Sequence, residues 1–324
     1  MMRENKARST LPKQIVVGVD DSGLSDHAVE MGLELGGRLE ARVELVHAVP
    51  VPPVVWPGMD PVRSSAFSSA LLSEAMKRMQ DRVARLVRNR GELPSGEAGG
   101  RATALAAPAV DDCVHVVPGE AAKVLLDRVR RRRSAWIVLG GHRKREILDF
   151  GNTLRAVFAR STVPVWVQAH PTRRIERILA PVDLSPDSLA SLALARSLAA
   201  HFHARLHVLH VFSIGTYSAA AVGEHFGSWL DFPIDEVRTS ERNRFDREMG
   251  RFDWGGVEHT CEFVGGVASE VILERAEKAD LIVLGTHGTT GLASVVLGGT
   301  AYAVLKRAPT AVLAARRTRR RFLL

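Results

Sequence analysis

The residues that could do chemistry in this chain are glycines. Gly285-Thr286-His287-Gly288 is followed, after a short interval, by Gly298-Gly299-Thr300. The run comes directly after apolar Leu281-Ile282-Val283-Leu284, which reads as a buried strand. It ends where a helical run, Ala301 to Arg307, begins. Glycine lets a ligand come close to the backbone, and the first N–H groups of a helix point at whatever lies before it. Strand, glycine loop and helix start together predict an anion cradle, and so a bound nucleotide.

Other chemistry finds less support. No Gly-x-Gly-x-x-Gly follows the first strand, and no Gly-x4-Gly-Lys-[Ser/Thr] supplies the lysine and hydroxyl of a P-loop. His201, His203, His207 and His210 crowd one region. His207 and His210 are three apart on a strand, so they point to opposite faces, which argues against a shared metal. Cys113 and Cys261 fall in predicted third strands and read as small core residues. His142 and His287 lie inside the glycine loops, where loop packing and anion contact are both open to them.

The elements that hold the cradle are written twice. Ile15 to Ser22, containing Asp20, recurs as Ile178 to Ser185, containing Asp183. The strand ending in His47 recurs as the strand ending in His210, at the same offset of 163. Trp136 to His142 recurs as Leu281 to His287 at an offset of 145, so the first copy carries a net excess of 18 residues. That excess reads as a loop in the Gly/Pro/Ala-rich stretch Gly91 to Pro108, and Pro50 to Pro57 as a further loop or helix extension. Gly151-Asn152-Thr153 matches Gly298-Gly299-Thr300.

Each copy alternates five strands with four helices. In the second copy Ser185 is the expected N-cap and Pro186 the first helical residue. Ala190, Ala193, Leu194, Ser197 and Leu198 form the predicted apolar face. A charged helix spans about Ile234 to Met249, and the last strand is Thr310 to Ala314. The pattern predicts an α/β chain of two tandem doubly wound domains, 1–170 and 171–324. Each is a five-stranded parallel sheet with helices on both faces. Where strand order reverses, between strands one and four, Asp183 meets the Gly285 loop.

Composition sets the surroundings. The chain has 324 residues, a net charge of +8 and 46% hydrophobic residues. Much of the basic excess sits in Arg130 to Arg133 and in Arg316, Arg317, Arg319, Arg320 and Arg321, at element ends, where solvation accounts for it without a nucleic-acid partner. Two cysteines, no signal-like h-region and no long apolar run predict a cytoplasmic protein without a membrane segment.

Taken together these residues resemble the universal stress protein family, whose loop after strand four reads Gly-x2-Gly-x9-Gly-[Ser/Thr]. Gly285, Gly288 and Gly298 keep that spacing, and Pro181-Val182-Asp183 matches the family's first strand end. Two departures stand out. Gly299 replaces the hydroxyl residue, with Thr300 one place later. In the first copy Arg143 replaces the second glycine, and the loop is two residues shorter.

The resemblance implies ATP as the bound ligand, accompanied by magnesium where phosphates require it. Asp183 would accept hydrogen bonds from the ribose, Pro181, Val182 and Val211 would border the adenine, and Gly285, His287, Gly288, Gly298, Gly299 and Thr300 would surround the phosphates. It further implies a regulatory stress-response role and a degenerate, structural N-terminal copy. The fifth strands, Pro164 to Gln168 and Thr310 to Ala314, would pair within one chain, with a homodimer as the other arrangement. The displaced hydroxyl favours holding the nucleotide over acting on it. The rival readings are an interaction scaffold without nucleotide and a slow ATP-hydrolysing or phosphotransfer enzyme.

Overall fold

A computed structural model of the protein describes residues 11–50, 61–91, 112–130, 135–141, 151–171, 174–213, 233–286 and 297–315. The stretches 92–111 and 51–60, which hold most of the expected excess and the Pro50 to Pro57 segment, lie outside the described residues. So do most of the two arginine runs. The chain forms two compact units, Met1–Thr172 and Arg173–Leu324.

In the first unit the order is β1 (Gln14–Val19), α1 (Leu24–Leu39), β2 (Arg42–Val49), α2 (Pro61–Gly91), β3 (Val114–Pro118), α3 (Ala121–Val129), β4 (Ala135–Gly140), α4 (Asn152–Arg160) and β5 (Val165–Gln168). The strands pair in the order β3-β2-β1-β4-β5, all parallel. Ile15, Val16 and Val17 are fully buried, as a strand covered on both faces requires. Trp136 and Trp166 stack at 6.5 Å between β4 and β5.

The second unit repeats the plan. It contains β6 (Arg177–Pro181), α5 (Pro186–Phe202), β7 (Arg205–Phe212), α6 (Ile234–Arg251), β8 (His259–Gly265), α7 (Ala268–Ala276), β9 (Leu281–Gly285), α8 (Gly299–Arg307) and β10 (Ala311–Ala315). Its strand order is β8-β7-β6-β9-β10, again parallel. Each sheet grows outward from its first strand and then jumps to the other side. The switch points fall between β1 and β4 and between β6 and β9.

Local signals explain the helix ends. Ser185 caps α5 by accepting the Ser188 N–H at 3.2 Å, and Pro186 occupies the first turn. The helix stops at His203, whose φ of 55° is left-handed. Its buried stripe differs from the predicted one. Leu194 and Leu198 are buried as predicted, and Ser188, Ser191, Leu192, Ala195, Ala199 and Phe202 face the core with them, while Ala190 is exposed. The serines can be buried because their hydroxyls bond backward along the helix, Ser188 to the Ser185 carbonyl at 3.0 Å and Ser191 to that of Ser188 at 2.8 Å.

Two further expectations are corrected. Helix α8 begins at Gly299, so the second glycine pair lies in its cap and first turn, not ahead of it. Cys261 is exposed, because β8 is an edge strand with one flank uncovered, whereas Cys113 is buried as expected. No helix among the described residues is long and apolar enough to cross a membrane.

Candidate functional site

The second unit's switch point is built from three strand ends. Pro181 closes β6, and the next residue, Val182, donates its N–H to Leu209 of β7 at 2.9 Å. Asp183 then turns the chain. Its Oδ1 accepts the Ser185 N–H at 3.0 Å, and its own N–H donates to the Ser188 hydroxyl at 3.3 Å. This turn holds Leu184 at a φ of 60°, unusual for a branched side chain. Arg244 of α6 donates to the Leu184 carbonyl at 3.3 Å. Val211, near the end of β7, is half-buried.

On the other side of the switch point, β9 lies parallel to β6, with Ile178 beside Leu281 and Leu179 beside Ile282. Gly285 therefore ends level with the start of α5. A Cβ placed on it would lie 3.4 Å from the backbone of Asp187 and Ser188. Thr286 is buried, and its N–H donates to Ala315 at 3.2 Å. The Thr286 carbonyl accepts the Gly298 N–H at 3.1 Å, so the loop leaves and returns at one point. His287 and Gly288 lie outside the described residues.

Gly298 caps α8, and its carbonyl accepts the first helical bond, from Tyr302 at 2.8 Å. The Gly298 N–H is spent on closing the loop. The first-turn N–H groups of Gly299, Thr300 and Ala301 have no carbonyl within the helix to donate to. Gly299 and Thr300 are exposed.

The glycines of the two copies differ in what they do for the fold. In the first unit a Cβ on Gly140 would lie 2.8 Å from the Leu24 carbonyl, and one on Gly141 would lie 2.5 Å from the Ala169 side chain. Packing forbids a side chain at either position. In the second unit, among the described residues, a Cβ on Gly298 meets only the Thr286 carbonyl, at 3.5 Å, and one on Gly299 meets nothing within 4 Å. Gly298 has a φ of −57°, open to any residue. Neither the dihedral angle nor packing among the described residues requires glycine at 298 or 299.

The first unit carries the same strand-end device. Asp20 accepts the Ser22 N–H at 3.0 Å and its hydroxyl at 2.6 Å. Arg82 of α2 pairs with Asp26 at 2.7 Å and donates to the Asp20 and Ser22 carbonyls. A cleft of about 260 Å³ opens here, lined by Val19, Asp20, Gly140, Gly141, Gly151 and Asn152 among others. Arg143 lies outside the described residues.

One functional element escaped sequence reasoning. His210 is only 2% exposed, and its Nδ1–H donates to the Val182 carbonyl at 2.8 Å. Its Nε2 lies 2.8 Å from Glu241 of α6, and its ring stacks on Phe263 at 5.2 Å. His47 bonds the Val19 carbonyl in the same way at 2.9 Å. Each histidine thus fixes the residue immediately before the switch-point aspartate. The recurrence of His47 and His210 at the repeat offset was the available signal.

Both copies also match one sequence family. The model of the universal stress protein family fits residues 12–168 and, a second time, 174–316. The chain belongs to the universal stress protein family. It is 32% identical over 149 residues to a universal stress protein of Methanocaldococcus jannaschii, a match covering 45% of this chain and 84% of that protein. It is 36% identical over 148 residues to universal stress protein A homolog 1 of Coxiella burnetii, covering 43% and 94%. A universal stress protein structure from Archaeoglobus fulgidus shares the fold, with a TM-score of 0.61, 17% identity, and coverage of 94% of this chain and 99% of that one. In this universal stress protein the two family matches each enclose one switch point, with Asp20 in the first and Asp183 in the second.

Proposed function

We propose that this universal stress protein binds an adenine nucleotide, ATP, in its second unit and uses it as a regulatory ligand in a stress response. The observation that carries the reading is the pair Gly298-Gly299 at the start of α8. Glycine is a poor helix former, costing about 1 kcal/mol against alanine. No contact among the described residues requires it there. An external group that must approach the backbone supplies the missing reason.

Asp183 beside the same switch point would accept the ribose hydroxyls, and Pro181, Val182 and Val211 would border the base. Gly285, His287 and Gly288 complete the proposed phosphate surround with Gly298, Gly299 and Thr300. Magnesium would accompany the phosphates. Binding to the folded state alone stabilises it by about 2.7 kcal/mol at a hundredfold excess over Kd, enough to shift a conformational population. The displaced hydroxyl, Gly299 with Thr300 next to it, favours retention of the nucleotide over its hydrolysis.

The test is a calorimetric titration with ATP, run beside thermal unfolding. Gly299→Val is expected to weaken ATP binding by at least about tenfold while the unliganded protein unfolds at no lower temperature, since the side chain meets no neighbour within 4 Å among the described residues and valine is the better helix former. Undiminished affinity in that variant would overturn the site. Absence of ATP binding by the parent protein would leave the scaffold reading, and ATP turnover lost in Asp183→Ala would favour the enzyme.

A further inference from the structure

A second cleft, of about 290 Å³, lies in the second unit where β6, β7 and β8 begin. Arg177 starts β6, whereas Asp183 follows its end. At about 3.3 Å per residue the two places are on the order of 15–20 Å apart. The cleft is mostly carbon-lined. Leu179 lies on the same face as His207, with which it is in register, and belongs to its floor, and the stems of Arg177, Arg205 and Lys278 form part of its wall, with Ala279 in the link after α7. A small carbon-lined cleft with a few charged groups is the usual form of a small-molecule site.

Charge selects the occupant. Four cations, Arg177, Arg205, Arg275 and Lys278, face two carboxylates, Glu258 and Glu262. Glu262 is held by Arg275 at 2.7 Å and by His207 at 2.9 Å. Arg177 pairs with Asp280 at 3.3 Å, and Arg205 with Glu258 at 2.9 Å in an exposed pair. Lys278 has no ion pair among the described residues. An exposed pair such as Arg205–Glu258 contributes little, so Arg205 can turn toward a ligand at small cost.

The first unit supplies a comparison within the chain. Three residues before His47 stands Glu44, and three before His210 stands His207. Glu44 is 3% exposed and tied to Arg128 at 2.9 Å. A carboxylate thus fills the place where the second unit presents a half-exposed imidazole.

We infer that this basal cleft binds a small, flat, apolar monocarboxylate, its body on Leu179 and Ala279 and its carboxylate on Lys278 and Arg205. Lys278, without an ion pair among the described residues, suits a single negative charge. Glu258 and Glu262 repel a polyphosphate, so the cleft discriminates against the nucleotide proposed at the other end of the strands. The site does not depend on that proposal.

The test is calorimetric titration of the full-length protein with 2-naphthoate and, separately, with 2-naphthalenemethanol, its uncharged analogue. The acid is expected to bind one saturable site, and the alcohol at least about tenfold more weakly. Lys278→Glu should weaken the acid by a similar factor. Ala279→Phe, which fills the cleft, should abolish binding, and the surface change Lys278→Glu keeps the test decisive if that variant misfolds. Saturating ATP and the Gly299→Val change should leave naphthoate affinity unaltered. No saturable heat up to millimolar 2-naphthoate, equal affinity for acid and alcohol, or an unchanged Lys278→Glu variant would each overturn the inference. Competition by ATP would do the same, since the acid would then occupy the upper site.

Discussion

Asp183 serves the fold and the proposed ligand with one carboxylate. Its Oδ1 accepts the Ser185 N–H and so holds Leu184 in a left-handed turn. Asparagine keeps that acceptor, and alanine does not. Asp183→Asn is therefore expected to unfold within about 0.5 kcal/mol of the parent. Asp183→Ala should lose about 1 kcal/mol, the usual worth of such a bond. Both should bind ATP more weakly, because neither offers an ionised carboxylate to ribose hydroxyls. Urea denaturation gives the first comparison and calorimetry the second. If both variants kept full ATP affinity, Asp183 would be a turn residue alone. Glycine carries the same ambiguity, and here the two copies separate it. Gly140 and Gly141, at the strand end of their loop, are glycines because their neighbours leave no room, whereas Gly298 and Gly299, at the helix end of theirs, have room among the described residues and remain glycine.

At the scale of elements, the sheets were legible because strands buried on both faces are unbroken apolar runs, as in Leu281 to Leu284. The face of α5 was read correctly at Leu194 and Leu198 but centred to one side of the core, because it left out Ser188 and Ser191, which are buried with their hydroxyls bonded internally. The start of α8 was misread because two glycines argue against helix until the site gives them another purpose. The role of His210 was hidden because its partner is a backbone carbonyl on another strand, and residue type does not record such a bond.

One half-buried imidazole of the first unit has a pH signature. His115 of β3 is held below its usual pKa of 6.5, first by burial and then by the Arg128 charge, with Arg42 adding and Glu44 opposing. The unfolded chain takes up this proton near 6.5, and the folded chain only at lower pH. Stability therefore falls as pH drops below about 6.5 and levels off beneath the folded pKa. His115→Asn should flatten that part of the stability profile, measured by urea denaturation between pH 7 and 5. An unchanged slope would show that His115 gains its proton equally in both states.

At the scale of the whole molecule, the duplication poses the question of how many ligands one chain holds. Both copies keep the strand-end aspartate, its Asx turn and the histidine behind it. Both keep a strand order that opens a crevice at the switch point. The first copy has a cleft of about 260 Å³, so loss of the loop motif has not closed it. What separates the copies is the phosphate end. Both helices after the loop start at a glycine cap, Gly151 and Gly298, but Arg143 stands in the first copy where the second has Gly288, and Asn152 where it has Gly299. A Cβ on Gly299 meets no neighbour within 4 Å among the described residues. A side chain at these places keeps a phosphate from the backbone donors, so the first cleft can receive a base and a sugar but holds a triphosphate less tightly. ATP is accordingly expected to titrate to one equivalent per chain. Asp20→Asn should leave that stoichiometry and affinity intact, and Asp183→Asn should weaken binding. Two equivalents in the parent protein, reduced to one by Asp20→Asn, would mean that the first crevice supplies phosphate donors of its own. The asymmetry between the copies would then lie in affinity rather than in occupancy.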